Sequence, residues 1–255
     1  MKRLLTALIL IPSVIYVIFY GPQLLFQAVV ATMAFFCFRE YAVIAGTQGI
    51  PFHTWLGHAS GLVFLFLPQA EWLVLVALSM VAATMALRYP DLADSLPSAS
   101  ALLFGITYIY GAWRCAIVLH QQSAWWLFFA VSLNWVGDSA ALYSGKMFGK
   151  HKLAPVVSPK KTWEGAIGSA IFSTLYGVIL LSRGLPETPM LHAAVLSLLA
   201  CVAGQVGDLA ESAMKRGAGV KDSGHMLPGH GGWLDRLDST LFSMPVVAFY
   251  LRLVQ

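Results

Sequence analysis

The chain has 255 residues, of which 58% are hydrophobic and 11% charged, with a mean hydropathy of +0.72 and a formal charge of +4. Soluble domains average about 25% charged residues, so the composition excludes a water-soluble globular protein and predicts an all-α, polytopic integral membrane protein. The basic residues form no exposed stripe that would track a nucleic acid, and no nucleic-acid partner is expected.

Met1-Lys2-Arg3 leads into an apolar run over 4–20. No small-x-small cleavage site follows it and further apolar runs do, so it reads as a retained first helix rather than a signal peptide. A membrane helix needs about 20 apolar residues, with about 17 as a lower limit. Nine stretches qualify: 4–20, 22–38, 54–69, 71–87, 97–119, 124–145, 164–182, 190–213 and 237–254. The third is diluted by His53, His58 and two glycines, and the fifth is expected to break near Gly111. With a cytoplasmic N-terminus, thirteen of the sixteen Lys and Arg residues fall on the inner side. Only Arg183 and Arg252 fall outside, and Arg114 lies within the fifth helix, where it is expected to snorkel. The positive-inside rule therefore supports that orientation and an outer C-terminus. Trp125 and Trp126 mark an outer interface. Cys37, Cys115 and Cys201 sit in apolar runs without a CxxC pair and read as buried small hydrophobes.

Polar residues are unevenly shared. Residues 1–123 read as scaffold helices, and residues 124–255 carry nearly all the chemistry, within one membrane domain. Carboxylates inside membrane spans cost several kcal/mol, about 3 at a helix centre on insertion scales, and call for a reason. Asp138 lies roughly 21 Å into the sixth helix and Asp208 roughly 27 Å into the eighth, at about 1.5 Å per residue. Both helices run inward, so both acids reach the cytoplasmic boundary, where Asp235 and Asp238 open the ninth helix. The phrases Val136-Gly137-Asp138-x-Ala140 and Val206-Gly207-Asp208-x-Ala210 share their form, and each glycine permits close approach of a neighbouring helix or a ligand. Asp208, Glu211, Ser212 and Lys215 share one helix face, as do Asp235 and Asp238. Interhelical ion pairs with Lys215, Arg216 and Arg236 are one explanation. A Mg²⁺ site is the sharper one, since that ion takes one or two carboxylates and leaves room for water and substrate phosphate.

Between the eighth and ninth helices, Gly229, Gly231 and Gly232 surround His230, a turn suited to close backbone approach to phosphate oxygens. His230 has the chemistry of a phosphate donor, a proton carrier or a turn-stabilising residue. No Gly-x-x-x-x-Gly-Lys-[Ser/Thr] sequence is present, which excludes a P-loop. The loop from Gly145 to Glu164 adds a basic element ending in Ser158-Pro159-Lys160-Lys161-Thr162. Thr162 is placed to cap the seventh helix, and free amides beside lysines make a phosphate site. The alternative is a positive-inside flank or an anionic-lipid patch.

Ser212-x-x-Lys215-Arg216, Lys221-Asp222-Ser223-Gly224 and Leu227-Pro228-Gly229-His230-Gly231-Gly232-Trp233-Leu234-Asp235-Arg236-Leu237-Asp238 together resemble the signature of the phosphatidate cytidylyltransferases (CDP-diacylglycerol synthases). Gly207-Asp208-Leu209-x-Glu211-Ser212, Gly137-Asp138-Ser139 and the run from Gly149 to Gly165 look like the same family. The strong likeness covers about 134–240; the first 130 residues share only hydropathy and organisation. The resemblance implies the reaction CTP + phosphatidate → CDP-diacylglycerol + pyrophosphate, with Mg²⁺ and a second cation such as K⁺, in a homodimer within the membrane. Carried onto this chain, it implies metal binding by Asp208 and Asp235 first, with Asp238 close behind, and Asp138 joins them as a candidate ligand from its place at the same level. It implies catalytic roles for Asp208, Lys215, Asp235, Asp238 and His230. It implies CTP contacts from Ser158, Lys160, Lys161, Thr162, Arg216, Lys221, Asp222 and Gly231; the sequence does not give the residues that select cytosine, and Trp163 and Trp233 are stacking candidates only. The site would face the cytoplasm of a bacterial inner membrane. A related enzyme acting on another lipid phosphate would leave these residues unchanged, and an ion-coupled transporter is the reading from a different class.

Overall fold

A computed structural model describes residues 2–51, 53–67, 71–226 and 231–254, with the side chains of 2–9, 71 and 72 left undescribed. It is an all-α membrane protein carrying one small β-hairpin. In chain order the elements are α1 (Lys2–Phe19), α2 (Gln23–Thr47), α3 (Thr54–Phe66), α4 (Glu71–Ala86), a 3-10 turn (Leu92–Asp94), α5 (Ser95–Gly105), a π-helical segment (Ile106–Gly111) and α6 (Ala112–Gln122). Then follow α7 (Ala124–Phe148), β1 (Lys152–Ala154), β2 (Ser158–Thr162), α8 (Trp163–Gly184), α9 (Met190–Gly217) and α10 (Leu234–Val254).

Among the described residues, each of the nine expected apolar stretches overlaps a helix. Among the described residues, five helical runs are long and apolar enough to cross a membrane: Gln23–Thr47, Leu92–Gln122, Trp163–Gly184, Met190–Gly217 and Leu234–Val254. Shorter apolar helices cover Leu10–Phe19, Thr54–Phe66 and Leu73–Ala86. The 25-residue α7 lies outside that set, and Asn134, Asp138 and three tryptophans lower its hydropathy. The interruption expected near Gly111 takes the form of the π-helical segment, a wider turn that leaves the rod continuous.

The helices group into two compact units interleaved along the chain. The first comprises 1–22, 115–213 and 237–255; the second comprises 23–114 and 214–236. In the first, α7 packs along α8 through small residues, as membrane helices do where backbones must approach. A Cβ on Gly137 would stand 2.9 Å from the hydroxyls of both Ser169 and Ser173. Polar bonds stitch the same unit: buried Asn134 donates to Ser243 Oγ at 2.9 Å and to the Ala130 carbonyl at 3.0 Å.

The second unit is built on α2, which buries Phe26, Val30, Ala34, Cys37 and Phe38 along one side. Tyr110, from the π-helical segment, is fully buried and its hydroxyl lies 2.9 Å from His58 Nδ1. Arg114 donates to the Leu65 carbonyl, in the last turn of α3, at 3.0 Å. The α9 terminus closes in the second unit with a Schellman turn: Val220 N–H donates to Lys215 O and Gly219 N–H to Arg216 O. Gly219 supplies the left-handed residue, at φ +70°.

Candidate active site

In the first unit the basic loop is a hairpin. β1 and β2 pair antiparallel, with Lys152 opposite Thr162 and Ala154 opposite Ser158. Thr162 then caps α8 as expected, its Oγ1 accepting from Gly165 N–H at 3.2 Å. Glu164, in the first turn, accepts from His151 Nδ1 at 2.7 Å and from its N–H, which fixes the hairpin to the helix. Neighbouring side chains on a strand point to opposite faces. Lys160 is accordingly exposed, whereas Lys161 reaches Asp208 Oδ2 on α9 at 2.5 Å. The sequence alone does not separate these two lysines; the strand does.

Asp208 belongs to a group of acids. Asp238 on α10 is buried, and the carboxylates of Asp208, Glu211 and, on α7, Asp138 act on it as like charges. Asp138 itself is exposed. Gly207 sets the spacing, because a Cβ there would lie 2.7 Å from the Asp238 carbonyl and 2.8 Å from the Phe242 ring. The expected close approach at Gly137 and Gly207 is thus made by neighbouring helices. Ser212 Oγ lies 3.5 Å from Asp208 Oδ1, a long contact. Glu211 is fully buried and stands on the predicted face with no role assigned from sequence.

In the second unit a different network forms around Asp235. Lys215 Nζ donates to its Oδ1 at 2.5 Å, Ser223 N–H to its Oδ2 at 2.9 Å and Gly232 N–H to Oδ2 at 2.8 Å. Lys215 and Asp235 are nearly buried as side chains, at 9% and 7% exposure. Gly231 adopts φ +83°, and an added Cβ would meet Asp235 Oδ2 at 2.5 Å. The glycines therefore let the loop fold around a carboxylate, and within the turn expected to approach phosphate the Gly232 amide is engaged by Asp235. Arg216 donates to the Val220 carbonyl at 2.9 Å, while Lys221 and Asp222 are exposed. Trp233 stacks on Phe36, with centroids 6.1 Å apart and rings 13° from parallel, whereas Trp163 is exposed. His230 lies outside the described residues.

The residue that sequence reasoning missed is Glu40. It is buried in α2 and accepts from Ser223 Oγ at 2.8 Å, Trp233 N–H at 3.0 Å and Leu234 N–H at 2.8 Å. Its signal was weak: the expected second helix ended at residue 38, which put Glu40 in a loop, whereas α2 continues to Thr47.

Among the described residues, no group of three or more His, Cys, Asp or Glu side chains is arranged to hold a metal ion. The donor chemistry of the first unit still suits a hard divalent cation, since Asp208, Glu211, Asp238 and Asp138 supply carboxylate oxygen only and Lys161 is the cation bound to Asp208.

The cytidylyltransferase family profile matches residues 1–254. The chain belongs to the cytidylyltransferase family. A phosphatidate cytidylyltransferase of Bacillus subtilis (strain 168) is 44% identical over 135 residues, covering 53% of this chain and 50% of that protein. Against this relative, the match spans half the relative's length. A phosphatidate cytidylyltransferase of Staphylococcus aureus (strain COL) is 36% identical and one of Staphylococcus haemolyticus (strain JCSC1435) 34% identical, each over 200 residues. Both comparisons cover 76% of this chain and 77% of the relative.

Proposed function

We infer that the protein is a membrane nucleotidyltransferase that converts CTP and phosphatidate to CDP-diacylglycerol and pyrophosphate. One observation carries the geometric side of this reading: Lys161 is delivered by β2 to Asp208, beside the acids that surround buried Asp238. A phosphatidate oxygen must attack the α-phosphorus of CTP. A new P–O bond forms there while the bond to the bridging oxygen breaks and pyrophosphate leaves. Two like unit charges 4 Å apart repel by about 4 kcal/mol at an effective dielectric near 20, so two polyanions meet only where charge is neutralised. The nucleophile is already anionic and needs no strong base, which leaves positioning and charge stabilisation as the protein's task.

The proposed ligands of a Mg²⁺ ion are Asp208, Asp238 and Asp138, and Asp235, which Lys215 faces in this structure, is a further proposed ligand. When bound, the ion would neutralise phosphate charge; a second cation such as K⁺ belongs to the same proposal. Lys160, exposed on the hairpin, is placed to take a CTP phosphate, and Ser158 and Thr162 flank it on the same strand. Lys161 would exchange Asp208 for substrate phosphate. Arg216, Lys221, Asp222, Gly231 and His230 remain proposed contacts for CTP or the leaving group. Nine membrane crossings with an inner N-terminus, a homodimer, and a site open to the cytoplasm of a bacterial inner membrane complete the proposal, supported by the distribution of Lys and Arg.

The experiment is direct. Purified protein in detergent is given labelled CTP, Mg²⁺ and a panel of lipid phosphates, and lipid-linked CMP and pyrophosphate are measured. Phosphatidate should be the best acceptor; a consistently better isoprenoid or ether-lipid phosphate would move the assignment to a related lipid cytidylyltransferase.

A further inference from the structure

The N-terminal helices carry almost no polar chemistry, yet α2 places a buried carboxylate directly on the signature loop. We propose that Glu40 is a positioning residue for the transfer reaction, holding Ser223, Trp233 and Leu234 so that Asp235, at the start of α10, meets Lys215 in one fixed arrangement. The inference rests on the nucleotidyltransferase reading of the site.

Three features carry it. First, Glu40 is the hub of the loop: its two oxygens receive one hydroxyl and two backbone N–H groups from residues on either side of the undescribed 227–230 segment. Second, Ser223 is shared. Its hydroxyl donates to Glu40 Oε2 at 2.8 Å, while its N–H donates to Asp235 Oδ2 at 2.9 Å and its Oγ accepts from Asp235 N–H at 3.3 Å. A displacement at Glu40 is therefore passed to Asp235 through one residue. Third, the loop closes tightly on Glu40: a Cβ on Gly232 would meet both Ser223 Oγ and Glu40 Oε2, and one on Gly224 would lie 2.7 Å from Glu40 Oε1. The chain is cut to glycine where it wraps this carboxylate.

Trp233 and Leu234 stand at the start of α10, where open amides favour an anion. Glu40 fills that position with its own carboxyl oxygens. These amides thus serve to anchor the helix start rather than to take substrate phosphate. Charge-assisted hydrogen bonds to a carboxylate are shorter and stronger than neutral ones, which suits a bond that must hold while the substrates carry several negative charges past it.

The test compares Glu40→Gln, Glu40→Asp and Ser223→Ala with the wild-type chain, all purified and assayed for CTP-dependent transfer to phosphatidate. Glu40→Gln keeps the shape but turns one acceptor into a donor facing an N–H group. Its kcat should fall about 10- to 100-fold, the range for lost support or an ångström-scale misplacement around a reacting centre, with KM for CTP changed less than about threefold. Ser223→Ala, the milder change, should lower kcat about tenfold, and the double variant Glu40→Gln/Ser223→Ala should lose less than the product of the two single losses, because both remove the Glu40–Ser223 bond. Glu40→Asp should recover part of kcat. If Glu40→Gln lowers only the amount of folded protein, with kcat per active site intact, or if the two effects multiply, Glu40 is merely structural and the proposal fails. An inactive wild-type protein would instead overturn the reaction assignment, so the two failures are distinguishable.

Discussion

Two ion pairs of the same length separate burial from contact as the source of stability. Lys215 and Asp235 meet at 2.5 Å with both side chains under a tenth exposed, whereas Lys161 and Asp208 meet at 2.5 Å with side chains 27% and 30% exposed. Removing one partner of a buried pair strands the other charge and costs about 3–5 kcal/mol. The Ser223 and Gly232 amides continue to hold Asp235, so Lys215→Met should cost about 3 kcal/mol, the low end of that range. Lys161→Met strands a carboxylate that water reaches, and should cost about 0–1 kcal/mol. For a chain of this size about 2–4 °C of Tm corresponds to each kcal/mol, which gives losses of about 6–12 °C and under about 4 °C. The assay is thermal unfolding in one detergent at one scan rate, since membrane-protein melts are commonly irreversible. Adding Asp235→Asn to Lys215→Met removes the stranded charge and should restore at least half of the loss. Equal shifts for the two lysine variants, or no recovery in the double variant, would refute the reasoning.

Other outcomes follow from the same geometry. Asp208→Asn and Asp238→Asn should abolish CMP transfer while the proteins still insert and purify; near-normal turnover in both would remove the carboxylate group from the mechanism. Chelating divalent cations should stop the reaction and added Mg²⁺ should restore it, as initial-rate measurements before and after dialysis would show. Gly231→Ala combines a left-handed backbone cost of about 1–2 kcal/mol with a Cβ placed 2.5 Å from Asp235 Oδ2. Gly231→Asn, which tolerates that φ, should be nearly as damaging; wild-type turnover in the Asn variant would show that the steric contact is unimportant. Thiol-labelling of single cysteines introduced near the two ends of the chain in intact cells should place the N-terminus inside and the C-terminus outside, and labelling of both on one side would overturn the nine-crossing proposal.

The helices were legible because their cause is local: about 20 apolar residues leave the backbone no partner in lipid but itself. Boundaries drifted where polar residues extend a helix beyond its apolar run, and that drift hid Glu40. Cutting the second helix at residue 38 moved a buried carboxylate into a presumed loop, although α2 continues nine residues further to Thr47. The hairpin was missed for a related reason. Lys152–Ala154 and Ser158–Thr162 are too short and too polar to show alternation, and they are held by Glu164 and Thr162 at the start of α8 rather than by a hydrophobic face. The acids were recognisable as a class, because carboxylates are rare in a chain this apolar, but their division of labour was not. Asp235 and Asp238 lie three residues apart on one helix, yet one is enclosed by a lysine and backbone amides and the other faces further acids. Sequence spacing gives both the same helix face; only the partners brought in from residues as distant as Ser223 and Asp138 make one the organiser of a loop and the other a member of an acidic group. Glycine shows the same divide: the motif marks where the backbone must come close, and the structure supplies what it comes close to, which at Gly231 and Gly232 is a carboxylate of the protein's own.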